Sequence, residues 1–201
     1  MSYEKIYQDM TLAAHRAYTR GVQTGSGGNM SVRIPERNAM VVKSSGGSFA
    51  DCTADGKGWV AMDFDGVLLP GESGKPTREW LLHGALLKAL PSVGAIVHFH
   101  SPYAITWAKK HDTIPMTTWH SGLKFGCAIP VVDVPAAVVP ADEIPKILRL
   151  FEENPALPGF VLRDHGLVAV GKTAVAAEHA AELMEETAQI TVLEHQLYGK
   201  E

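Results

Sequence analysis

Two histidines one residue apart, His98 and His100, close the apolar run AIVHFH. Along a strand, residues i and i+2 project from the same face, so these two imidazoles point together. Two charged imidazoles in a dry place would repel. Neutral ring nitrogens that share a metal ion remove that conflict. Taken alone, the pair favours a metal only modestly over two histidines on an edge strand, each bonded to backbone or water. A third imidazole, His165, precedes Gly166 in RDHGLVAVG, a tight turn between two apolar segments. Gly166 is expected to supply an unusual backbone angle that aims the ring. Three such histidines would make a zinc site with one position open to water or substrate.

Glu79 falls in the first turn of the helix that leads toward this strand. It could add a carboxylate ligand or act as a general base beside the metal. An acidic residue there also simply favours the helix dipole. His83 lies four residues on, on the same helical face, and is expected behind the site or in the core rather than on the metal. His15, His111, His179 and His195 sit in polar or helical contexts and are expected to be ordinary.

Three small-residue loops accompany these groups. TGSGGNMSVR carries glycines at 25, 27 and 28, which let successive N–H groups form an anion-binding nest, and Asn29 adds a donor. SSGG spans residues 44 to 47, and KPTRE supplies Thr77, Arg78 and a helix N-terminus. The first loop follows a helix and enters a strand, so it is neither a Rossmann nor a Walker pattern. Together the loops suit a phosphorylated or carboxylated substrate.

The elements that must position these residues follow from periodicity and breakers. A helix is expected over residues 3–20, with Ile6, Met10, Ala13, Ala14 and Ala17 on one face. Strands are expected at 29–34 and 40–44, joined by the turn Pro35-Glu36-Arg37-Asn38, and at 59–64. A helix at 77–90 leads to the strand 95–100, and Ser101-Pro102 would cap a helix over 102–110. A strand at 129–134, a helix at 142–153, a hairpin of FVLRD with LVAVG and a helix at 172–198 complete the chain. That order predicts a mixed sheet with helices packed on it, one domain over residues 1–201.

Composition agrees. The chain has 201 residues, 46% hydrophobic and 20% charged, with a formal net charge of −4. With no basic block, neither nucleic acid nor an anionic membrane is an expected partner. Two cysteines far apart imply no disulfide framework and no thiolate zinc site. The polar start and the lack of a long apolar run lead us to expect a soluble, cytoplasmic protein.

In order, the chain contains G-x-G-G-N-x-S-x-R, S-S-G, K-P-T-x-E-W, V-H-x-H-S-P-Y-A and D-H-G-L-x-A-x-G. This set resembles the class II aldolase and adducin N-terminal domain family over roughly residues 5 to 195. The family includes L-fuculose-1-phosphate and rhamnulose-1-phosphate aldolases, L-ribulose-5-phosphate 4-epimerase, methylthioribulose-1-phosphate dehydratase and decarboxylases. The resemblance implies an α/β/α sandwich around a central, mainly antiparallel sheet. It implies that His98, His100 and His165 bind a divalent metal, usually zinc, with Mn²⁺ or Co²⁺ as other candidates. Glu79 would ligate that metal at rest and exchange protons with substrate. Gly28, Asn29, Ser45, Gly46, Thr77 and Arg78 would hold a substrate phosphate. A homotetramer with active sites between subunits is also implied.

The activity expected first is a zinc-dependent aldolase that reversibly cleaves a short ketose phosphate of the fuculose-1-phosphate type through an enediolate. The alternative is a decarboxylase or 4-epimerase acting on a sugar acid or pentulose phosphate. A non-catalytic, adducin-like interaction domain is the remaining possibility. Two positions depart from the fuculose-type aldolases. Thr77-Arg78 stands where those enzymes carry Ser-Ser. Trp119 stands where they carry the tyrosine that protonates the leaving aldehyde oxygen, and an indole N–H cannot exchange a proton. His120 and Tyr198 are the candidate replacements.

Overall fold

Strand β4 (Ala95–Phe99) lies inside an eight-stranded sheet, paired antiparallel with β1 (Asn29–Ile34) and β8 (Gly166–Gly171). The computed structural model describes residues 3–35 and 37–199. Glu36, part of the turn expected after β1, lies outside the described residues. Beyond β1 come β2 (Ala39–Lys43) and β3 (Trp59–Asp63). Beyond β8 come β7 (Gly159–Leu162), β6 (Ile129–Val132) and β5 (Thr113–Ile114), giving the order β3-β2-β1-β4-β8-β7-β6-β5. Only the β6–β7 pair is parallel among the described ladders, so the sheet is mainly antiparallel as expected.

Period-two alternation divides the core. Val97 and Phe99 of β4, with Leu167 and Ala169 of β8, face α1 (Tyr3–Arg20), α3 (Pro102–Ala108) and α6 (Ala174–Tyr198). Ile96 and Val168 face α2 (Trp80–Ala89) and α5 (Ile144–Glu153). Helices therefore cover both faces, which is the expected α/β/α sandwich. Phe99 and Phe160 are fully buried on opposite sides, each burial contributing about 1.5–3 kcal/mol.

Three local differences from the sequence reading have clear causes. First, α2 starts at Trp80 and not at residue 77, so Glu79 is the cap residue ahead of the helix. The preceding segment stays extended because Ser45 N–H donates to the Lys75 carbonyl and Thr77 N–H to the Lys43 carbonyl. Second, Ser101 occupies the cap position of α3, but its hydroxyl donates to the Val22 carbonyl. The open N–H groups of Tyr103 and Ala104 go instead to the buried Glu185 carboxylate on α6, both at 2.9 Å. Third, α4 (Trp119–Phe125), the short β5 and a single helical turn at Phe49–Asp51 have no counterpart in the sequence reading. Helix α4 buries only Ser121 and is held by a capping box between Thr118 and Ser121, so it carries no apolar periodicity.

Candidate metal centre and its cavity

His98 sits near the end of β4, opposite Asn29 on β1 and Val168 on β8, and is fully buried. Its Nδ1 lies 3.0 Å from the Leu167 carbonyl, an acceptor only, so Nδ1 carries the proton. That leaves Nε2 as a free lone pair, buried without a protein partner. His100 follows the last residue of β4. His165 stands in the turn between β7 and β8, and its Nδ1 is also buried without a partner. The three ring centroids lie 4.5–5.2 Å apart, and one nitrogen from each ring falls within 4.8 Å of the others.

Glu79 reaches the same point from the entry of α2. Its Oε2 is 3.5 Å from His98 Nε2, and its Oε1 is 4.0 Å from His165 Nδ1. Asn29 Nδ2 donates to Oε2, while Oε1 has no partner. Three orphaned buried atoms, two nitrogens and one carboxylate oxygen, thus face one another without a hydrogen-bond partner. A divalent cation satisfies such a donor set, and three histidines plus a carboxylate suit zinc. These residues fit a metal.

Electrostatics prepare the ligands. Burial, reinforced by His165 and His100, holds His98 well below the ordinary imidazole range. Burial, then His100, lowers His165 to about 4, and burial lowers His100. All three are neutral near pH 7, the form that binds metal. Burial raises Glu79 to about 7 against the opposing pull of Asn29 and Arg78. His83 is not one of the three converging histidines but is near enough to His98 to help lower it. It is fully buried, with Nδ1 2.7 Å from Ser31 Oγ and its pKa pushed down to about 3 by burial.

Gly166 does not supply the unusual backbone angle expected of it. The positive φ in this turn belongs to Asp164, at 58°. Gly166 is required for space, because a Cβ there would strike the Phe99 carbonyl and press on His98 Cε1 at 3.1 Å.

A cavity of about 290 Å³ opens beside Glu79, His100 and His165. Its wall contains every residue expected to hold phosphate: Gly28, Asn29, Ser45, Gly46, Thr77 and Arg78. Sequence reasoning missed Lys43, which lines the same cavity at the end of β2 and is 2% exposed. Its ammonium has one weak bond, 3.4 Å to the Ser44 carbonyl, and lies 5.3 Å from the Phe49 ring centroid. A lysine closing an apolar strand directly before SSGG was the available signal.

His120 and Tyr198 lie elsewhere within the chain. His120 lines a separate cavity with Arg20, Lys124 and His179. Tyr198 is 81% exposed near the end of α6, and Trp119 is 97% exposed.

A family model described as the class II aldolase and adducin N-terminal domain matches residues 8–192. The chain belongs to this family. The L-ribulose-5-phosphate 4-epimerases UlaF of Salmonella typhi and of Salmonella paratyphi A are each 33% identical to it over 183 residues, covering 85% of this chain and 76% of the relative. Among solved structures, YgbL from Klebsiella pneumoniae superposes with a TM-score of 0.82 at 24% identity, over 98% of this chain and 93% of that one. L-fuculose-1-phosphate aldolase from Thermus thermophilus gives 0.81 at 19% identity, over 98% of both chains. The chain is therefore an enzyme of the class II aldolase superfamily.

Proposed function

We propose that this enzyme uses a divalent metal, zinc by preference, to break and re-form a carbon–carbon bond beside the ketone of a short phosphorylated keto sugar. The observation that carries this reading is the convergence of His98 Nε2, His165 Nδ1 and Glu79 Oε1, all orphaned, with His98 buried behind a cavity that Glu79 and His165 line and whose other wall suits an anion. His98, His100 and His165 are the proposed ligands, with Glu79 as a fourth that can leave. When bound, the ion supplies Lewis-acid polarisation of the ketone oxygen. The loop N–H groups near Gly28 and Gly46, with Asn29, Ser45, Thr77, Lys43 and Arg78, hold the phosphate. Where the enediolate must be quenched, in net aldol cleavage or decarboxylation, Glu79 would carry the proton at carbon, and a raised pKa suits an acid–base group working near neutrality. Epimerisation moves no proton at carbon.

Epimerisation of a pentulose phosphate at C4 is the outcome best supported by the 33% identical relatives. The C3–C4 bond breaks with its electron pair left on the ketone fragment. The aldehyde turns and is attacked on its other face. His120 or Tyr198 would serve the aldehyde oxygen from a neighbouring subunit of a homotetramer, consistent with their distance from the site within one chain. No helix among the described residues is long and apolar enough to cross a membrane. The proposed location, the cytoplasm, rests on the sugar-phosphate chemistry proposed for the site. Arg78, exposed on the cavity wall, favours a second reading, in which the substrate is a phosphorylated sugar acid that loses CO₂.

The test is to incubate zinc-loaded protein with L-ribulose 5-phosphate, L-fuculose 1-phosphate and a phosphorylated 3-oxo sugar acid. Formation of the 4-epimer of ribulose 5-phosphate supports the first reading. Release of dihydroxyacetone phosphate from the fuculose ester would return the reaction to simple aldol cleavage, and release of CO₂ from the acid would establish the second reading. Failure to turn over any of the three would refute the proposal.

A further inference from the structure

Gln23 sits at the foot of the glycine-rich loop and is 1% exposed. Its side-chain carbonyl accepts the backbone N–H of His100 at 2.7 Å, and its amide donates to the Thr24 carbonyl at 2.6 Å. His100 stands just past the last residue of β4, where the ladder no longer offers an acceptor. His100 is exposed toward the cavity while its N–H bond to Gln23 is part-buried, so Gln23 removes a part of the about 1–3 kcal/mol that a fully buried unpaired N–H would cost. Two glycines make the arrangement possible. A Cβ on Gly28 would lie 2.7 Å from the Gln23 amide carbon, and one on Gly27 would lie 2.5 Å from His100 Nδ1. Loop, glutamine and imidazole therefore pack as one block.

We infer that Gln23 is a positioning residue, which fixes His100 through its carbonyl and packs beneath Gly28 of the cavity-lining loop. This rests on the reading of His98, His100 and His165 as metal ligands. Partners that orient a ligand are worth about 10–100-fold in metal affinity. Mere space filling would be met equally well by an apolar side chain of the same length.

Gln23→Met keeps the length and removes both hydrogen bonds, while Gln23→Glu retains an acceptor for the His100 N–H. Gln23→Asn, one methylene too short to reach, is a milder variant read in the same way should the methionine variant not fold. Zinc affinity is measured by competition with a chelator, and the ligand field by the visible absorption of the Co²⁺-loaded protein. Gln23→Met is expected to lose about 10–100-fold in zinc affinity and to shift the cobalt band, with Gln23→Glu recovering most of the loss. A Gln23→Met protein that melts earlier yet binds zinc as tightly, with the same cobalt spectrum, would overturn the inference. So would a Gln23→Glu protein as deficient as Gln23→Met. Wild-type protein that binds no zinc would instead remove the metal reading itself.

Discussion

His98 Nε2 and Glu79 Oε2 stand 3.5 Å apart inside the protein, and the nitrogen has no partner. Ligand atoms at 2.0–2.1 Å from a tetrahedral zinc are separated by about 3.3 Å. The pair is therefore already spaced to share a small cation. Asn29 on Glu79 Oε2 and the Leu167 carbonyl on His98 Nδ1 fix both groups from behind. Such outer partners set the tautomer and direction of a ligand.

Glu79→Gln should separate binding from chemistry. The amide still presents an oxygen at the same place but cannot take a proton. Zinc content is expected to stay near wild type while any reaction that must protonate the enediolate at carbon, aldol cleavage or decarboxylation, falls about 10²–10⁴-fold. Unchanged turnover of a cleaved or decarboxylated substrate would remove Glu79 from that proton transfer.

Lys43→Met should weaken the anion and spare the metal. A buried, charge-assisted contact is worth about 1.5–3 kcal/mol, and the ammonium has only one weak protein bond to lose. Calorimetric titration of zinc-loaded protein with inorganic phosphate checks this. Equal phosphate affinity in both proteins would take Lys43 out of the site.

The histidine pair, His165, Glu79 and the six cavity-lining residues expected to hold phosphate were legible because each sits in a short motif of the ordered set that resembles the class II aldolase and adducin N-terminal domain family. Alternation along AIVHFH also located β4 and split its side chains between two faces. Lys43, Gln23 and the spatial need for Gly166 were not legible. Each depends on a partner 34 or more residues away: the loop at Thr77, the strand end at His100, the carbonyl of Phe99. Helix α4 escaped because it buries almost nothing, so no periodic signal exists to find. The helix over 77–90 was begun too early because the strand-like bonds that hold residues 75–77 are made to β2 and its following loop, beyond any local window.

Glu185 makes a pH dependence that lies outside the metal centre. Burial raises its carboxyl to about 6, opposed by the Tyr103 and Ala104 N–H bonds. A carboxyl whose folded pKa is raised favours folding at low pH, where it is protonated in both states. That contribution is lost as pH rises from about 4.5 through 6. Wild type should therefore lose about 2 kcal/mol relative to Glu185→Gln between pH 4 and pH 8. Urea unfolding of both proteins across that range checks it. A constant difference in stability would mean that Glu185 ionises as freely in the fold as in the open chain.

Zinc titration at pH 7 of the wild-type protein and of His98→Ala, followed by calorimetry, tests the metal centre most directly. The account predicts one tight zinc per wild-type chain and none on His98→Ala, which still unfolds cooperatively because an open site contributes function more than folding. Equal zinc binding by both proteins, or none by wild type, would contradict it.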